Sequence, residues 1–461
     1  MVARNRPVNR ALLGAVSGAA LLTALAGPAA AETLREALIA AYTTNPTLAA
    51  ERANLRAVDE NVNQALAGWR PTVVATADGA VQFSDQEVRG VSSSDTTVPL
   101  STTLNLTQPV YDGGTTPAEV NSAEALVLAG RANLSSTEQD ILLDAVTVYM
   151  EVLLNQAIVQ LNLNNEERLG RQLEAAQDRF DVGEITRTDV AQARAALSRA
   201  AADRAQAEGN LIASRAAYER VVGNMPDQLQ PPPPLPDVPP SEKLALEIAY
   251  AENPDLLVAV NTADSAEHDI RATYGQLLPQ VDVEALATHS RNSTQAGDDD
   301  TTLRLRGVLT VPIYQAGAVH SGVRQQKNVH SQRMLEVQET RRLVGEGVTQ
   351  AWEALETARA RIVAGRAEVR ANEIALEGVI QEAQVGSRTT LDVLDAEQDL
   401  LDSQVALVQA ERDEYVGAYQ LLDAVGRLSV AVLGLAVEAY DPDVHYRQVR
   451  DQWWGTQPRA E

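Results

Sequence analysis

Apolar side chains recur every three to four residues over two very long stretches of the chain, 117–180 and 318–384. One stripe in the first stretch consists of Ile141, Ala145, Val148 and Val152. A second stripe lies beside it, which suits an α-helix with neighbours on both sides. At 1.5 Å per residue, each of these helices would span about 100 Å.

Alternation with a period of two replaces the helical period in a pair of segments ahead of each long helix. The clearest apolar positions are in the second half: Val281, Val283, Ala285, Ala287, Leu303 and Leu305. Polar side chains such as Glu284, Arg304 and Arg306 stand between them. The alternation predicts strands with one apolar and one polar face. The first half shows it more weakly, and polar loops are expected at 84–97 and 292–300.

The whole order of segments occurs twice, with an offset of 208 residues at the start of each half. Ala41-Tyr42 and Asn45-Pro46 return as Ala249-Tyr250 and Asn253-Pro254. We predict a first repeat at 32–230, a proline-rich linker at 231–240, a second repeat at 241–437 and a tail at 438–461. Each repeat holds short helices, two strands and a long helical hairpin.

The second arm of each hairpin is shorter than the first. The last one, 389–427, has a heptad-like spacing that implies coiled-coil packing on its neighbour. A helix of about 20 residues, such as 254–274, stacked on its end would make up the missing length.

The first 31 residues have the pattern of a secretory signal peptide. Arg4, Arg6 and Arg10 precede an apolar run, and Ala29-Ala30-Ala31 predicts cleavage after Ala31. Beyond it no apolar run approaches the roughly 20 residues of a membrane-spanning helix. A membrane crossing would therefore be made by strands. One chain supplies four, whereas single-chain barrels start at about eight, so a trimer with about 12 strands is expected.

Composition excludes several classes of function. Without the signal segment the chain has 35 basic and 63 acidic side chains, a formal charge of −28, which argues against nucleic acid as a partner. A soluble acidic surface explains this charge, and so does an acidic conduit that prefers cations. The chain has no cysteine, so disulfides, thiol nucleophiles, cysteine zinc sites and lipidated cysteines are excluded. Its five histidines lack metal-ligand spacing, and we expect no enzyme and no cofactor.

Each hairpin turns through the same short phrase, at 182–190 and 385–396. Its glycine, Gly183 or Gly386, suits the left-handed residue that ends a helix. The next helix then starts with capping-box spacing: Thr186 with Asp189, and Thr389 with Asp392.

With these paired tips and the phrase Leu309-Thr310-Val311-Pro312-Ile313-Tyr314-Gln315-Ala316-Gly317, the sequence resembles the TolC-type outer-membrane efflux and type I secretion channel family over about 32–437. The resemblance implies an α+β membrane protein. In it, a long α-helical barrel in the periplasm continues into a transmembrane β-barrel, and a homotrimer completes both.

The function implied by this resemblance is the outer-membrane exit duct of a tripartite export machine. Its partners would be outer-membrane lipid, a periplasmic adaptor protein and an inner-membrane pump of the ABC or RND type. The sequence does not indicate whether the cargo is protein or a small drug. A non-channel periplasmic scaffold or adaptor made of helical hairpins is the alternative, but it leaves the four amphipathic strands unexplained.

The resemblance also implies a gate at the tips. Asp392 and Asp395 match the acidic rings that constrict the family's entrance, and Arg388 matches an arginine that bonds across to the acidic residue of the other tip, Asp189. Capping explains Asp189 and Asp392 equally well, whereas Asp395 has no capping role. The family's tyrosine in the closing network falls at Ala383, which has no side-chain hydrogen-bonding group.

The two tips are chemically unequal. Ile185 and Gln192 occupy the positions equivalent to Arg388 and Asp395. A gate with one moving side would require such a difference, and divergence after duplication explains it as well. Outer tip residues near Glu184 are expected to face the partner proteins.

Aromatic residues mark the helix-side ends of the strands: Trp69, Tyr111, Tyr274 and Tyr314. They suit an interfacial girdle, and ordinary packing explains them as well. The tail from Tyr440, with Trp453 and Trp454, receives no assignment from the sequence.

Overall fold

The computed structural model describes residues 32–226, 228–293 and 297–458, and the expected signal segment lies outside them. The first half contains α1 (Leu34–Thr44), α2 (Pro46–Leu66), β1 (Thr72–Gly79), β2 (Gln82–Val88), β3 (Val91–Thr97), β4 (Leu100–Tyr111), α3 (Thr115–Asp181) and α4 (Arg187–Val222). The second contains α5 (Glu242–Glu252), α6 (Pro254–Gly275), β5 (Gln280–Arg291), β6 (Asp299–Thr310), α7 (Ala318–Gln384) and α8 (Thr390–Ala424), and the tail adds α9 (Pro442–Val449). The internal repeat is confirmed.

The two long helices, α3 and α7, have 67 residues each, or about 100 Å. Among the described residues, α3 alone is long and apolar enough to cross a membrane, and 56% of its apolar window is buried. It packs against α2, α4, α6 and α8. The largest core cluster surrounds Leu142, Val146 and Tyr149 of α3, which pack with α1 and the end of α8.

Two joints extend the shorter arms, as the helix lengths predicted. α2 continues α4 along α3, and α6 continues α8 along α7. At the second joint Asn253 caps α6, because its Oδ1 accepts from Asp255 N at 3.0 Å, and its Nδ2 donates to the Ala424 carbonyl at 3.0 Å. Gly426 follows with φ 82°, and an added Cβ would lie 2.7 Å from Asn253 Cα. The repeated Asn-Pro pair therefore joins two helices end to end.

A cavity of about 720 Å³ opens beside the second joint, between α3, α6, α7 and α8. Three carboxylates line it, those of Asp140, Asp255 and Asp423. Burial, followed by repulsion from the other two, raises the pKa of Asp423 to about 7. The charge of this joint therefore changes near neutral pH.

Four strands form one antiparallel sheet in the order β1-β4-β5-β6. Its register aligns apolar residues in rows across the sheet, such as Val73, Leu106, Ala285 and Leu305. Neighbouring rows on the other face carry polar side chains, such as Thr76, Thr103, Thr288 and Thr302. Because Leu305 is 76% exposed, the predicted apolar face is present and uncovered in one chain.

The region predicted to be a polar loop at 84–97 is instead part of a hairpin. β2 and β3 pair there as a separate antiparallel sheet, so the first half has four strands rather than the two expected. Arg89 and Gly90 connect them with φ 54° and 82°, which is the backbone sign of a type I′ turn. Arginine is uncommon at positive φ, and the turn therefore had no recognisable sequence signal. The loop between β5 and β6 runs from 292 to 298, of which 294–296 lie outside the described residues.

Candidate functional site at the helical tips

Both hairpin tips turn at a glycine in the left-handed region. Gly183 has φ 82° and Gly386 has φ 80°, and an added Cβ would meet no atom within 4 Å at either. Backbone conformation alone therefore favours glycine. Ser387 N donates to the Glu382 carbonyl at 3.0 Å, which satisfies a carbonyl at the end of α7.

Capping boxes start both returning helices. In the first, Thr186 N donates to Asp189 Oδ2 at 2.8 Å, and Asp189 N donates to Thr186 Oγ1 at 3.4 Å. In the second, the corresponding distances between Thr389 and Asp392 are 2.8 and 3.2 Å. Hydrogen bonds from the threonines lower the pKa of each carboxyl group. Both tips therefore carry aspartates that stay ionised while they cap a helix.

Arg388 forms its ion pairs on its own tip. Its Nε lies 3.0 Å from Glu382 Oε2 and its Nη1 3.9 Å from Asp392 Oδ1, and Glu382 is the main cause of its raised pKa. Within the part of the chain that the structure describes, no ion pair joins Arg388 to Asp189. The bond between Arg388 and Asp189 is therefore not one of the ion pairs seen within the chain, and it stays a prediction.

Arg179 connects the two tips within one chain. Its Nη2 donates to the carbonyl of the buried Ala383 at 3.5 Å, and its Nε donates to Glu184 at 3.3 Å. Its charge also contributes, after the Thr186 hydrogen bonds, to the lowered pKa of Asp189. Sequence reasoning missed this residue, because a backbone acceptor at Ala383 leaves no side-chain signal.

Asp395 is exposed and lies one turn beyond Asp392. It lines a cavity of about 220 Å³ between α3, α4 and α8, and Gln192, its equivalent in the first tip, lines the same cavity. Beneath it the buried Glu397 pairs with Arg168 at 2.6 Å, an α3–α8 contact that sequence reasoning also missed. The fold thus brings Asp395 and Gln192, which differ in charge, to the same cavity beside the tips.

Metal-binding chemistry has no support in the described part of the chain. Within residues 32–226, 228–293 and 297–458, no group of three or more histidine, aspartate or glutamate side chains could hold a metal ion. His445 instead forms a buried pair with Asp59 at 2.8 Å.

The chain is similar in sequence and in fold to outer-membrane proteins. The family model described as outer membrane efflux protein matches residues 38–224 and 245–427. The outer membrane efflux protein BepC of Brucella suis is 38% identical over 448 residues, covering 95% of this chain and 96% of BepC. The outer membrane protein TolC of Escherichia coli is 26% identical and covers 87% and 83%. The Campylobacter jejuni CmeC outer membrane channel has a similar fold, with a TM-score of 0.78 at 16% identity over 91% of this chain and 89% of CmeC.

Proposed function

The chain belongs to the outer membrane efflux protein family, and we propose that three copies of it form one exit duct with a gate at the helical tips. The protein is an outer-membrane channel for efflux or secretion, as its family is. Family members are channels and not enzymes. The trimer, the gate and the identity of the partners are the proposed parts.

The sheet is the observation that carries the trimer. β1 and β6 are its edge strands, and open edges are not stable in lipid because their backbone groups lack partners. Three copies would join β6 of one to β1 of the next and close about 12 strands. The exposed apolar rows would then face lipid, and the threonine row would face the interior.

The long helices extend the duct away from the membrane. Since α3 and α7 leave the sheet directly through β4 and β6, the tips lie about 100 Å from it. In the outer membrane that direction is the periplasm. We propose that a periplasmic adaptor and an inner-membrane pump, of the ABC or RND type, bind the tips near the exposed Glu184, Arg187 and Ser387.

The gate that we propose depends on a change in the ion-pair partner of Arg388. In the closed trimer, Arg388 of one copy would bond Asp189 of the next copy, while Arg179 holds the two tips of each copy together. Asp392 and Asp395 would form stacked acidic rings at the entrance. On opening, Arg388 would return to Glu382, the partner that it has within one chain.

Planar-bilayer recording tests this function. The purified protein should form pores that multivalent cations block from the tip side, because carboxylate rings concentrate cations. The absence of pores from correctly folded protein would favour the periplasmic scaffold instead, and block that is equal from both sides would place the acidic constriction elsewhere.

A further inference from the structure

The C-terminal tail follows α2 from the middle of the molecule to the base of the sheet. Tyr440 N donates to Tyr42 Oη at 2.9 Å, just before α2 begins. His445 Nδ1 then lies 2.8 Å from Asp59 Oδ2, within α2. The tail thus runs alongside α2 over about 30 Å, towards the sheet.

The end of the tail is fixed where the helices give way to strands. Arg70, two residues before β1, donates from Nη1 to the Gln452 carbonyl at 2.9 Å. Its guanidinium also lies 5.3 Å from the ring centroid of Trp453. Gln108 of β4 donates to the Trp69 carbonyl at 2.9 Å, so this level is the base of both strands.

The tail lies on the same face of α3 as the α1 helix. Arg131 pairs with Asp443 at 2.6 Å and Glu124 with Arg450 at 2.8 Å. These two α3 residues lie two and three heptads before Ala145, which packs in the core cluster that contains α1. Asp140, in contrast, lines the cavity on another face of α3. The tail therefore shares a side with the α1 layer.

Two tryptophans at this level are left uncovered. Trp453 is 58% exposed and Trp454 is 86% exposed. The backbone is nevertheless held in place, because Gln452 Nε2 donates a hydrogen bond to the Trp454 carbonyl at 2.8 Å. Tryptophan rings prefer the polar–apolar boundary of a bilayer, where the ring is half buried and the N–H stays hydrated. The apolar rows of the sheet begin at the same level, with Val73.

We propose that the C-terminal tail anchors the duct to the inner-leaflet headgroup region of the outer membrane through Trp453 and Trp454. The occupant of this surface is phospholipid, because the two exposed tryptophans lie at the level where the apolar rows of the strands begin. The inference rests on the proposed function, since it requires the strands to lie in the membrane.

Fluorescence quenching by brominated lipid tests the anchor. The chain has four tryptophans, so Trp69→Phe with Trp352→Phe leaves only the tail pair. In proteoliposomes whose phosphatidylcholine carries bromine near the headgroup end of the acyl chain, this variant should lose about half of its emission. A matched variant that keeps only Trp352, about 50 Å along α7, should lose almost none.

Other outcomes would overturn the proposal. Quenching of the tail pair by aqueous iodide but not by bromolipid would place it in water, and quenching by neither would place it against a neighbouring copy. A tryptophan-free variant carrying Leu305→Trp reports on the strands separately. If Leu305→Trp is quenched and the tail is not, the anchor fails while the membrane placement holds. If neither is quenched, the membrane placement of the strands fails too.

Discussion

The joint between α8 and α6 depends on one amide side chain. Asn253 is 7% exposed, and its Oδ1 caps α6 by accepting from Asp255 N and Leu256 N at 3.0 and 3.3 Å. Its Nδ2 donates to the last α8 carbonyl, that of Ala424, at 3.0 Å. Asn253→Ala removes both interactions and leaves the partly buried Ala424 carbonyl without this donor.

The size of the effect follows from these contacts. Loss of an N-cap costs about 1 kcal/mol, and loss of the hydrogen bond to the partly buried carbonyl costs about 1 kcal/mol more. The free energy of local opening at the joint should therefore fall by about 2 kcal/mol. At 1.4 kcal/mol for each tenfold change, the opening equilibrium rises by about 30-fold.

Hydrogen–deuterium exchange measures this opening directly. Amides at the end of α8 and the start of α6 should exchange faster by that factor in Asn253→Ala. Asn253→Ser should show a smaller effect, because serine restores the cap but not the bond to Ala424. Asn45→Ala is the matched control at the first joint, where the equivalent bond to Val221 is 3.1 Å. An increase below about threefold in Asn253→Ala would refute the reasoning.

Three further predictions concern charge. The double variant Asp189→Ala with Arg388→Ala should raise single-channel conductance. Thr186→Ala breaks the same helix cap and should leave conductance unchanged. Equal conductance in the parent protein and both variants would refute the Asp189–Arg388 bond as a gate contact. Asp392→Ala with Asp395→Ala should weaken block by multivalent cations from the tip side, and unchanged block would exclude these rings. Burial raises the pKa of Asp423 to about 7. The stability that the protonated carboxyl group gives the folded joint is therefore lost as pH rises through that value. Exchange at the joint should therefore increase with pH beyond the intrinsic rate, and in Asp423→Asn it should not.

Patterns with a fixed period were readable from the sequence because each reflects one backbone geometry. The long helices, the alternating strands and the tip glycines follow from local conformational rules, and the structure confirms them. The hairpin at 82–97 could not be read in this way. Its strands are polar, so they lack an apolar period, and its turn places Arg89 at positive φ.

The candidate site was predictable only where one residue type meets one local requirement. Thr186, Asp189, Thr389 and Asp392 were identified through capping, and their hydrogen bonds are those of two capping boxes. The contact of Arg179 with the Ala383 carbonyl was not identified, because it depends on how closely the ends of α3 and α7 approach each other. That distance is set by tertiary packing, which spacing along the chain does not encode.

Native mass spectrometry of the complex released from the outer membrane tests the central claim most directly, because it counts the chains that close one duct. The account predicts three copies of the chain, held together until the barrel is unfolded by heating. A monomer, a dimer or any higher number would contradict it, since four strands per copy would then not close as proposed.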